Sequence, residues 1–265
     1  MAKITEGLPL TGNLGMLSAF KMRGVDGIVV RRKGGPTKEQ VKTSPRYERL
    51  RENNREWEGC SKGAAHIKLT LSGITHLADH NLSSHFTGVG MKARLADLLS
   101  DRGKRNILFS RTRHMLEGYE LNRKVLFNSV IRVAPAFTLY RTDGSANIII
   151  PEMTPGIHLK MPWNYPVFRF IITLGVVPDM MFSEQGYKPS NGLRQSQHVM
   201  VRTDWFSSRT EYEGQTLSLQ PDNLDGFSDY CSLILTIGLE AGTTGHLNVY
   251  EPVNYMGCGK IISVV

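Results

Sequence analysis

Three histidines and an aspartate offer the best metal ligands in the sequence: His76, Asp79, His80 and His85. On a helix, His76 and His80 would lie one turn apart and could chelate one ion. The HExxH pattern of zinc hydrolases also needs a Glu after the first His, because that carboxylate polarises the bound water. Leu77 stands there instead, and no later ligand has a diagnostic spacing. We therefore predict no metal site and no cofactor, and keep His76 and His80 as the pair to inspect.

A glycine-rich stretch, TGVGMKA from Thr87 to Ala93, contains the spacing G-x-G-x-x-A. In a dinucleotide-binding loop this pattern follows a buried strand of a parallel sheet, where backbone amides at a strand-to-helix turn bind the pyrophosphate. Here the preceding residues, 81–86, are polar, and the later strands fit an antiparallel sheet. The pattern therefore indicates a glycine near a helix start rather than a cofactor site.

Carboxylates for glycoside hydrolysis would have to come from the C-terminal half of the chain. The candidates are Asp222, Asp225, Asp229, Glu240 and Glu251. The reaction needs two such groups about 5 to 9 Å apart, which linear spacing does not show. The pattern G-x-S-x-G occurs at 59–63, GCSKG, but it follows a predicted helix rather than the strand that a nucleophile elbow needs, and no Cys has a matching His and Asn signature. We predict that the protein is not an enzyme; a sandwich enzyme or carbohydrate binder remains as an alternative from fold analogy.

The charges are unevenly distributed along the chain. Residues 1–135 hold 24 Lys and Arg against 12 Asp and Glu, whereas residues 136–265 hold 8 against 12. A chain with oppositely charged ends can bind copies of itself head to tail. The basic half could also bind a polyanion, with Arg31, Arg32, Lys33, Lys38 and Lys42 as candidate residues. Glutamates alternate with arginines in the segment that follows, and this weakens its field for nucleic acid.

An N-terminal β-hairpin is predicted around residues 14–32. Its first arm alternates around Met16, Leu17 and Phe20, its turn lies between Arg23 and Gly27, and its second arm is Ile28, Val29 and Val30. An isolated two-stranded hairpin is marginally stable in water. It must therefore pack on a later part of its own chain or on a neighbouring subunit.

Helices are predicted after a flexible Gly-Gly-Pro joint at residues 34–36. Ser44 is the expected N-cap of the first helix, with Pro45 at its first position, and Gly59 is the expected end. Tyr47, Leu50 and Trp57 share one face of this helix. Apolar spacings of three and four predict a second helix over 61–80 and a third over 89–99.

The rest of the chain is predicted to form short antiparallel strands. They are expected at 124–131, 136–141, 147–150, 167–174, 198–205, 216–219, 230–239, 246–250 and 260–265. The fold class is therefore α+β: an N-terminal β-hairpin arm and helices followed by an antiparallel β-sandwich, with a barrel as runner-up. We expect an arm and linker over 1–43, a helical region over 44–105 and the sandwich over 106–265.

Targeting signals and paired cysteines are not expected. No run reaches the roughly 18 apolar residues that cross a bilayer, and the first residues lack the regions of a secretory signal. We predict a protein that stays in the cytoplasm unless lysis or another route releases it, with no membrane insertion. The three cysteines, Cys60, Cys231 and Cys258, are widely spaced and predicted to be reduced thiols.

One resemblance supports this organisation. The run from Gly12 to Lys68 contains GNLG, VRRKGG, RENNREWEG and SKG in that order, and SLILTIGLEAG and GKIISVV follow near the end. In these motifs the chain resembles a widespread group of uncharacterised Bacteroidota proteins, in which a GNLxF…VR…GG hairpin precedes an REN…EFG…SKAG helix. Trp57-Glu58-Gly59 departs from the group's Phe-Gly. The resemblance implies a chain of hairpin, helices and sandwich and implies no activity.

The function predicted from these features is structural. We expect a non-enzymatic protein that self-assembles as a tube, sheath, shell or filament, by strand addition of its hairpin to a neighbouring copy. The alternative is a protein that binds nucleic acid or an acidic glycan through the basic half. The predicted assembly residues are Met16, Leu17, Phe20, Ile28, Val29, Val30, Tyr47, Leu50 and Trp57.

Overall fold

A computed structural model describes residues 2–4, 11–22, 25–190, 197–221, 228–246 and 249–265. The chain divides into two compact units, residues 1–51 and residues 52–265. Helices and antiparallel sheets occur together, and no sheet of the described residues closes into a barrel. The predicted α+β class is therefore confirmed. None of the helices in these ranges has both the length and the apolar character needed to cross a membrane.

The first unit contains one antiparallel sheet and a short helix. Its strands are β1 (Ala2–Ile4), β2 (Gly12–Leu14), β3 (Leu17–Lys21) and β4 (Ile28–Arg32), in the order β1-β4-β3-β2, and α1 covers Lys38–Thr43. Strands β3 and β4 form the predicted hairpin, and β2 and β1 extend it on either side. Arg23 and the glycine after it, in the predicted turn, lie outside the described residues.

Helix α2 runs without interruption from Glu48 to Thr70, so the predicted end at Gly59 is wrong. Gly59 and Gly63 are buried within the helix because aromatic rings pass directly over them. A Cβ atom at Gly59 would lie 2.6 Å from the Tyr187 ring, and one at Gly63 would overlap the Phe109 ring. These glycines allow close packing instead of ending the helix. The second helix predicted over 61–80 does not exist as a separate element. Its first half belongs to α2, and its second half contains a 3₁₀ turn, Thr75–Leu77.

Two further helices differ from the predicted pattern. Helix α3 covers Leu82–Ala93, so it begins and ends earlier than predicted, and Asn81 caps it by accepting a hydrogen bond from the Ser84 amide. Helix α4 covers Phe127–Val130, where a strand over 124–131 was predicted. Phe127 and Val130 are both buried, because a single helical turn points residues three apart in the same direction.

The described residues of the second unit also form ten strands. They are β5 (Ala136–Tyr140), β6 (Ser145–Ile150), β7 (Val167–Pro178), β8 (Met180–Ser183), β9 (Gly186–Pro189), β10 (His198–Arg202), β11 (Phe206–Ser207), β12 (Gln215–Leu219), β13 (Cys231–Thr244) and β14 (Tyr250–Val264). Strands at 136–140, 147–150 and 216–219 were predicted almost to the residue. The strand predicted at 246–250 is wrong: among the described residues of that stretch only Tyr250, the start of β14, is extended in a strand.

A central sheet of order β10-β7-β13-β14, with β11 beside β7, separates two apolar cores. On one face Ile171, Ile234 and Ile261 pack with the apolar side chains of α2 and α3. On the other face Phe168, Phe170, Leu235 and their neighbours pack against a three-stranded sheet of order β12-β6-β5. Strands β7 and β13 are buried along most of their length because both faces are covered.

Candidate assembly surface

The N-terminal sheet buries very little of its own apolar surface. Among the described residues of the first unit, only Ile28 and Val29 are buried. Leu14, Met16 and Leu17 have exposed fractions of 79%, 59% and 45%. Isolated strands of this kind are marginal in water, so an apolar sheet without a covering layer is a surface that a partner can bury. The described residues thus show an incomplete core.

The pairing of the strands decides which side chains share a face. Leu14 on β2 lies opposite Leu17 on β3, and Leu17 lies opposite Arg32 on β4. One face of the sheet therefore carries two exposed leucines beside a cation. On the other face the Arg31 guanidinium lies 5.2 Å from the centre of the Phe20 ring, a cation–π contact that shields part of that ring. The leucine face is therefore the more apolar of the two.

Strand β2 forms one edge of this sheet, and all three of its residues are exposed. Gly15 has a φ of 53°, and with Met16 it forms a two-residue turn into β3. The pair that flanks this turn, Leu14 and Leu17, exchanges backbone hydrogen bonds. Because the direction of these groups alternates along a strand, the backbone N–H and C=O of Asn13 point away from β3. A second chain could pair with this open edge.

The predicted polyanion residues all lie exposed within the first unit: Arg31, Arg32, Lys33, Lys38 and Lys42. Lys38 and Lys42 lie one turn apart on α1, whose start is closed by a capping box between Thr37 and Gln40. Residues 1–51 hold eleven Lys and Arg against four Asp and Glu, whereas the remaining 214 residues hold 21 against 20. Nearly all of the net positive charge of the chain therefore lies in the first unit.

The predicted apolar stripe of the first helix is only partly buried. In the first unit Tyr47 is half-buried and Leu50 is 40% exposed. In the second unit Trp57 is 54% exposed. The buried side of α2 is instead formed by small residues at spacings of three and four, which are Gly59, Cys60, Gly63, Ala64 and Ile67. The three predicted residues therefore do not contribute to the described core.

Sequence reasoning missed a buried glutamate on that same side. Glu56 lies one turn before Gly59 and Cys60, is fully buried, and accepts hydrogen bonds from the Arg94 guanidinium and from the Gly103 amide, the latter at 2.7 Å. It is one of the glutamates that alternate with arginines in the segment after the candidate polyanion residues. The stripe of small residues was the signal available in the sequence, because it marks the buried face on which Glu56 also falls.

His76 and His80, the pair kept for inspection as metal ligands, contact different partners. His76 Nε2 lies 3.0 Å from Glu240 Oε2, whereas His80 Nδ1 lies 2.8 Å from Asp79 Oδ1. The 3₁₀ turn at Thr75–Leu77 removes the α-helical spacing on which the pair depended. In the described ranges no group of three or more His, Cys, Asp and Glu side chains could hold a metal ion.

A buried ionic cluster surrounds Glu240 in the central sheet. Arg169, its cross-strand partner, contacts Glu240 Oε1 at 2.5 Å and stacks on Trp205 at 4.3 Å. Burial alone would raise the pKa of the Glu240 carboxyl, but hydrogen bonds from His76 and Arg169 outweigh this and hold the pKa below its ordinary value. Both carboxylate oxygens are occupied. The geometry describes a satisfied structural carboxylate rather than an acid poised to donate a proton.

A second cluster joins Asp79, His80 and Tyr119. His80 Nε2 contacts the Tyr119 hydroxyl, and His85 stacks on the Tyr119 ring with centroids 4.3 Å apart. Burial raises the pKa of the Tyr119 phenol to about 12. The phenol is therefore protonated near neutral pH, and the cluster supplies no activated nucleophile there.

Of the other candidate acids, the structure describes Asp229 and Glu251. Asp222 and Asp225 lie outside the described residues. Glu251 is exposed on β14, and Asp229 is exposed with its carboxylate 4.0 Å from Arg141. The glycine-rich stretch 87–93 lies inside helix α3, so it has no strand-to-helix turn that could bind a pyrophosphate.

The cysteines form no pair with one another. Cys60, Cys231 and Cys258 form no disulfide, and all three are buried. Burial raises the pKa of the Cys60 thiol to about 12, so its reactive thiolate form is suppressed near neutral pH.

Comparison of the chain with protein-family models, curated proteins and solved structures found no match. The geometry of the N-terminal sheet and of the polar clusters is therefore the basis for assigning a function.

Proposed function

We propose that the protein is a non-enzymatic structural protein that assembles with copies of itself through its N-terminal unit. The assembly would be a tube, sheath, shell or filament. The observation that carries the proposal is the incomplete core: Ile28 and Val29 are the buried side chains among the described residues of a four-stranded sheet. Leu14, Met16 and Leu17 remain available to a neighbouring copy.

Strand addition is the contact that best uses these features. The open edge at β2 offers backbone groups of Asn13, and the leucines beside it offer apolar side chains to the same neighbour. Main-chain hydrogen bonds would supply affinity, whereas Leu14 and Leu17 would supply register. A heterologous contact of this kind propagates into a ring or a filament.

Sedimentation velocity of the full chain over a range of concentrations tests the proposal, with negative-stain microscopy of the same samples. We expect concentration-dependent oligomers for the wild type and loss of them in the double variant L14S/L17S. The matched control is L69S/L126S, which changes two leucines of the second unit that are each 46% exposed. A wild type that stays monomeric at all concentrations would overturn the proposal, as would equal assembly of both variants.

Polyanion binding is the second candidate, supported by the net charge of the first unit and its five exposed cations. Single-stranded DNA and heparin are suitable probes for fluorescence anisotropy at several salt concentrations. Binding through these cations predicts that affinity falls by about 10³-fold or more between 50 and 200 mM salt if six phosphates are contacted. The triple variant R31E/R32E/K33E should then bind far more weakly. Lack of binding to either probe at low salt would exclude this candidate.

A further inference from the structure

The three-stranded sheet of the second unit has an unprotected edge. Strand β5 pairs with β6 and, among the described strands, with no other. Phe137 and Tyr140 on this strand are 42% and 43% exposed. The opposite edge strand, β12, lies beside β10. Among the described residues, the backbone groups of β5 that face away from β6 have no strand partner and lie next to apolar side chains.

Natural edge strands usually carry a feature that blocks further pairing, such as a lysine, a proline or a bulge. Strand β5, with the sequence AFTLY, contains no charged residue, no proline and no glycine, and its pairing with β6 is regular from end to end. The outward face of the sheet is also uncharged. It consists of Ala136, Thr138, Tyr140, Ser145, Asn147, Ile149, Thr216 and Ser218. This edge is therefore suited to pair with another strand.

The strand is complementary to a second copy of itself. In an antiparallel pairing centred on Thr138, each Phe137 lies opposite Leu139 of the other copy, and each Ala136 lies opposite Tyr140. These are an aromatic–aliphatic pair on the inner face and a small–large pair on the outer face. Along a strand the N–H and C=O groups of successive residues point to alternate sides. The residue numbers of each opposite pair differ by an even value, so both members of a pair direct these groups in the same way with respect to the contact. Thr138 itself forms a Thr–Thr pair on the two-fold axis.

The charges beside the strand fit the same arrangement. No residue of β5 is charged, so two antiparallel copies bring no like charges together along the strand. Exposed Arg132 precedes the strand and exposed Asp143 follows it. An antiparallel partner therefore brings its Asp143 toward Arg132 at each end, which is electrostatically complementary.

We infer that β5 pairs with β5 of a second copy in a two-fold symmetric dimer, joining two three-stranded sheets into one of six strands. This contact uses different residues from the N-terminal edge and is independent of it. It adds an isologous contact to the heterologous one of the proposed function. With both contacts each copy has more than one neighbour, and assembly can extend in more than one direction.

Cysteine crosslinking tests the inference. In T138C, two cysteines would face each other on the axis, and opposite Cβ atoms in such pairs lie about 4.5 to 5.5 Å apart. Mild oxidation and a short bismaleimide reagent should each yield covalent dimer. The matched control is T216C, which places a cysteine on the same outward face but on β12. The native cysteines are buried and should contribute little background. We expect about tenfold more dimer from T138C than from T216C, because only the former can meet disulfide geometry.

Two further samples separate this inference from the proposed function. T138C should crosslink equally well when L14S/L17S is added, since the N-terminal edge is not part of the contact. The edge-blocking variant T138K, in the same L14S/L17S background, should sediment as a monomer while its parent sediments as a dimer. Equal crosslinking of T138C and T216C, loss of crosslinking on adding L14S/L17S, or an unchanged dimer in T138K would each overturn the inference.

Discussion

The N-terminal sheet and the central sheet of the second unit are both antiparallel and both rich in branched apolar residues, but they differ in burial. Strands β7 and β13 are covered on both faces, whereas β3 and β4 contribute only Ile28 and Val29 to buried surface in the described residues. Strand formation needs only a local pattern and a turn, but stability needs a second apolar layer. The N-terminal sheet therefore depends on a covering surface, and the central sheet already has two.

Charge follows the same division. The first unit has a net charge of +7 and the rest of the chain +1, from the Lys, Arg, Asp and Glu of each part. The second unit buries carboxylates at Glu56, Glu240 and Asp179, and each of them is paired or hydrogen-bonded. The described cations of the first unit are exposed, apart from half-buried Arg51. Removing one partner of a buried charge pair destabilises a fold strongly, whereas the interactions of exposed like charges are weakened by salt.

The largest expected effect comes from truncating a core aromatic residue. Phe170 is fully buried on β7, so F170A should lower the free energy of unfolding by about 3 to 5 kcal/mol. The matched change F20A, on half-buried Phe20 of the N-terminal sheet, should leave unfolding of the second unit nearly unchanged. All three tryptophans lie in the second unit, so urea unfolding followed by tryptophan fluorescence reports on that unit. Equal losses for the two variants would remove the contrast between the sheets.

The next largest effect concerns the buried ionic cluster. E240Q removes the charge that compensates Arg169 and should lower the free energy of unfolding by about 3 kcal/mol near neutral pH. The pKa of Glu240 is lowered in the folded state, so its stabilisation is present above the ordinary value of 4.5 and is lost as the pH falls through the folded pKa. H76Q is the control, because His76 is 39% exposed and Arg169 still pairs with Glu240. A larger loss in H76Q than in E240Q would contradict this assignment.

An intermediate effect is expected at a loop of the second unit. Asp97 is buried and accepts hydrogen bonds from the amides of Leu99, Ser100 and Asn106, and these bonds outweigh the effect of burial and lower its pKa to about 2. D97N should lower the free energy of unfolding by roughly 2 kcal/mol at neutral pH. The difference from wild type should shrink as the pH falls from about 4 to 2, because the Asp97 carboxyl of the unfolded chain binds a proton below its ordinary pKa of 3.8 whereas that of the folded chain stays ionised down to about 2.

The exposed Asp143 offers a control for that loop. Its carboxylate also accepts a hydrogen bond from Ser145, but solvent surrounds it. D143N should therefore leave the urea midpoint of the second unit within experimental error of the wild-type value, both at neutral pH and between about pH 4 and 2. If D97N and D143N behave alike, the loop around Asp97 does not contribute to the stability of the unit.

Local patterns predicted the elements whose signals lie within a few residues. The β3–β4 hairpin followed from an alternating first arm, a polar turn and an apolar second arm, and β5 and β6 were predicted as strands at 136–141 and 147–150. Helix α4 was missed because four residues are too few to show a period. The break at Gly59 was wrong because glycine permits close packing as well as helix ends, and only the position of the Tyr187 ring distinguishes the two.

Contacts between distant residues were beyond the reach of these patterns. Glu240 was named as a candidate acid and His76 as a candidate ligand, yet nothing in their spacing showed that they contact each other across 164 residues. Sheet register decides such contacts: Arg169 meets Glu240 because β7 and β13 pair over twelve positions. A single sequence gives no access to that register when both strands are apolar throughout, since no alternation then distinguishes one face from the other.

The smallest predicted effect tests whether the first unit is stabilised locally. Helix α1 has no buried residue, so its cap carries a large share of its stability. Thr37 Oγ1 accepts a hydrogen bond from the Gln40 amide at 3.2 Å, and T37A should destabilise the helix by about 0.5 to 1 kcal/mol. Hydrogen exchange of the Val41 and Ser44 amides, both bonded within this turn, should become about two- to fivefold faster, as that energy implies. T37S, which keeps the hydroxyl, should exchange like wild type, and the tryptophan-detected midpoint should stay constant in both variants. A shift of that midpoint in T37A would show that the cap stabilises more than its own helix, and would weaken the contrast between a unit held by local hydrogen bonds and one held by a double core.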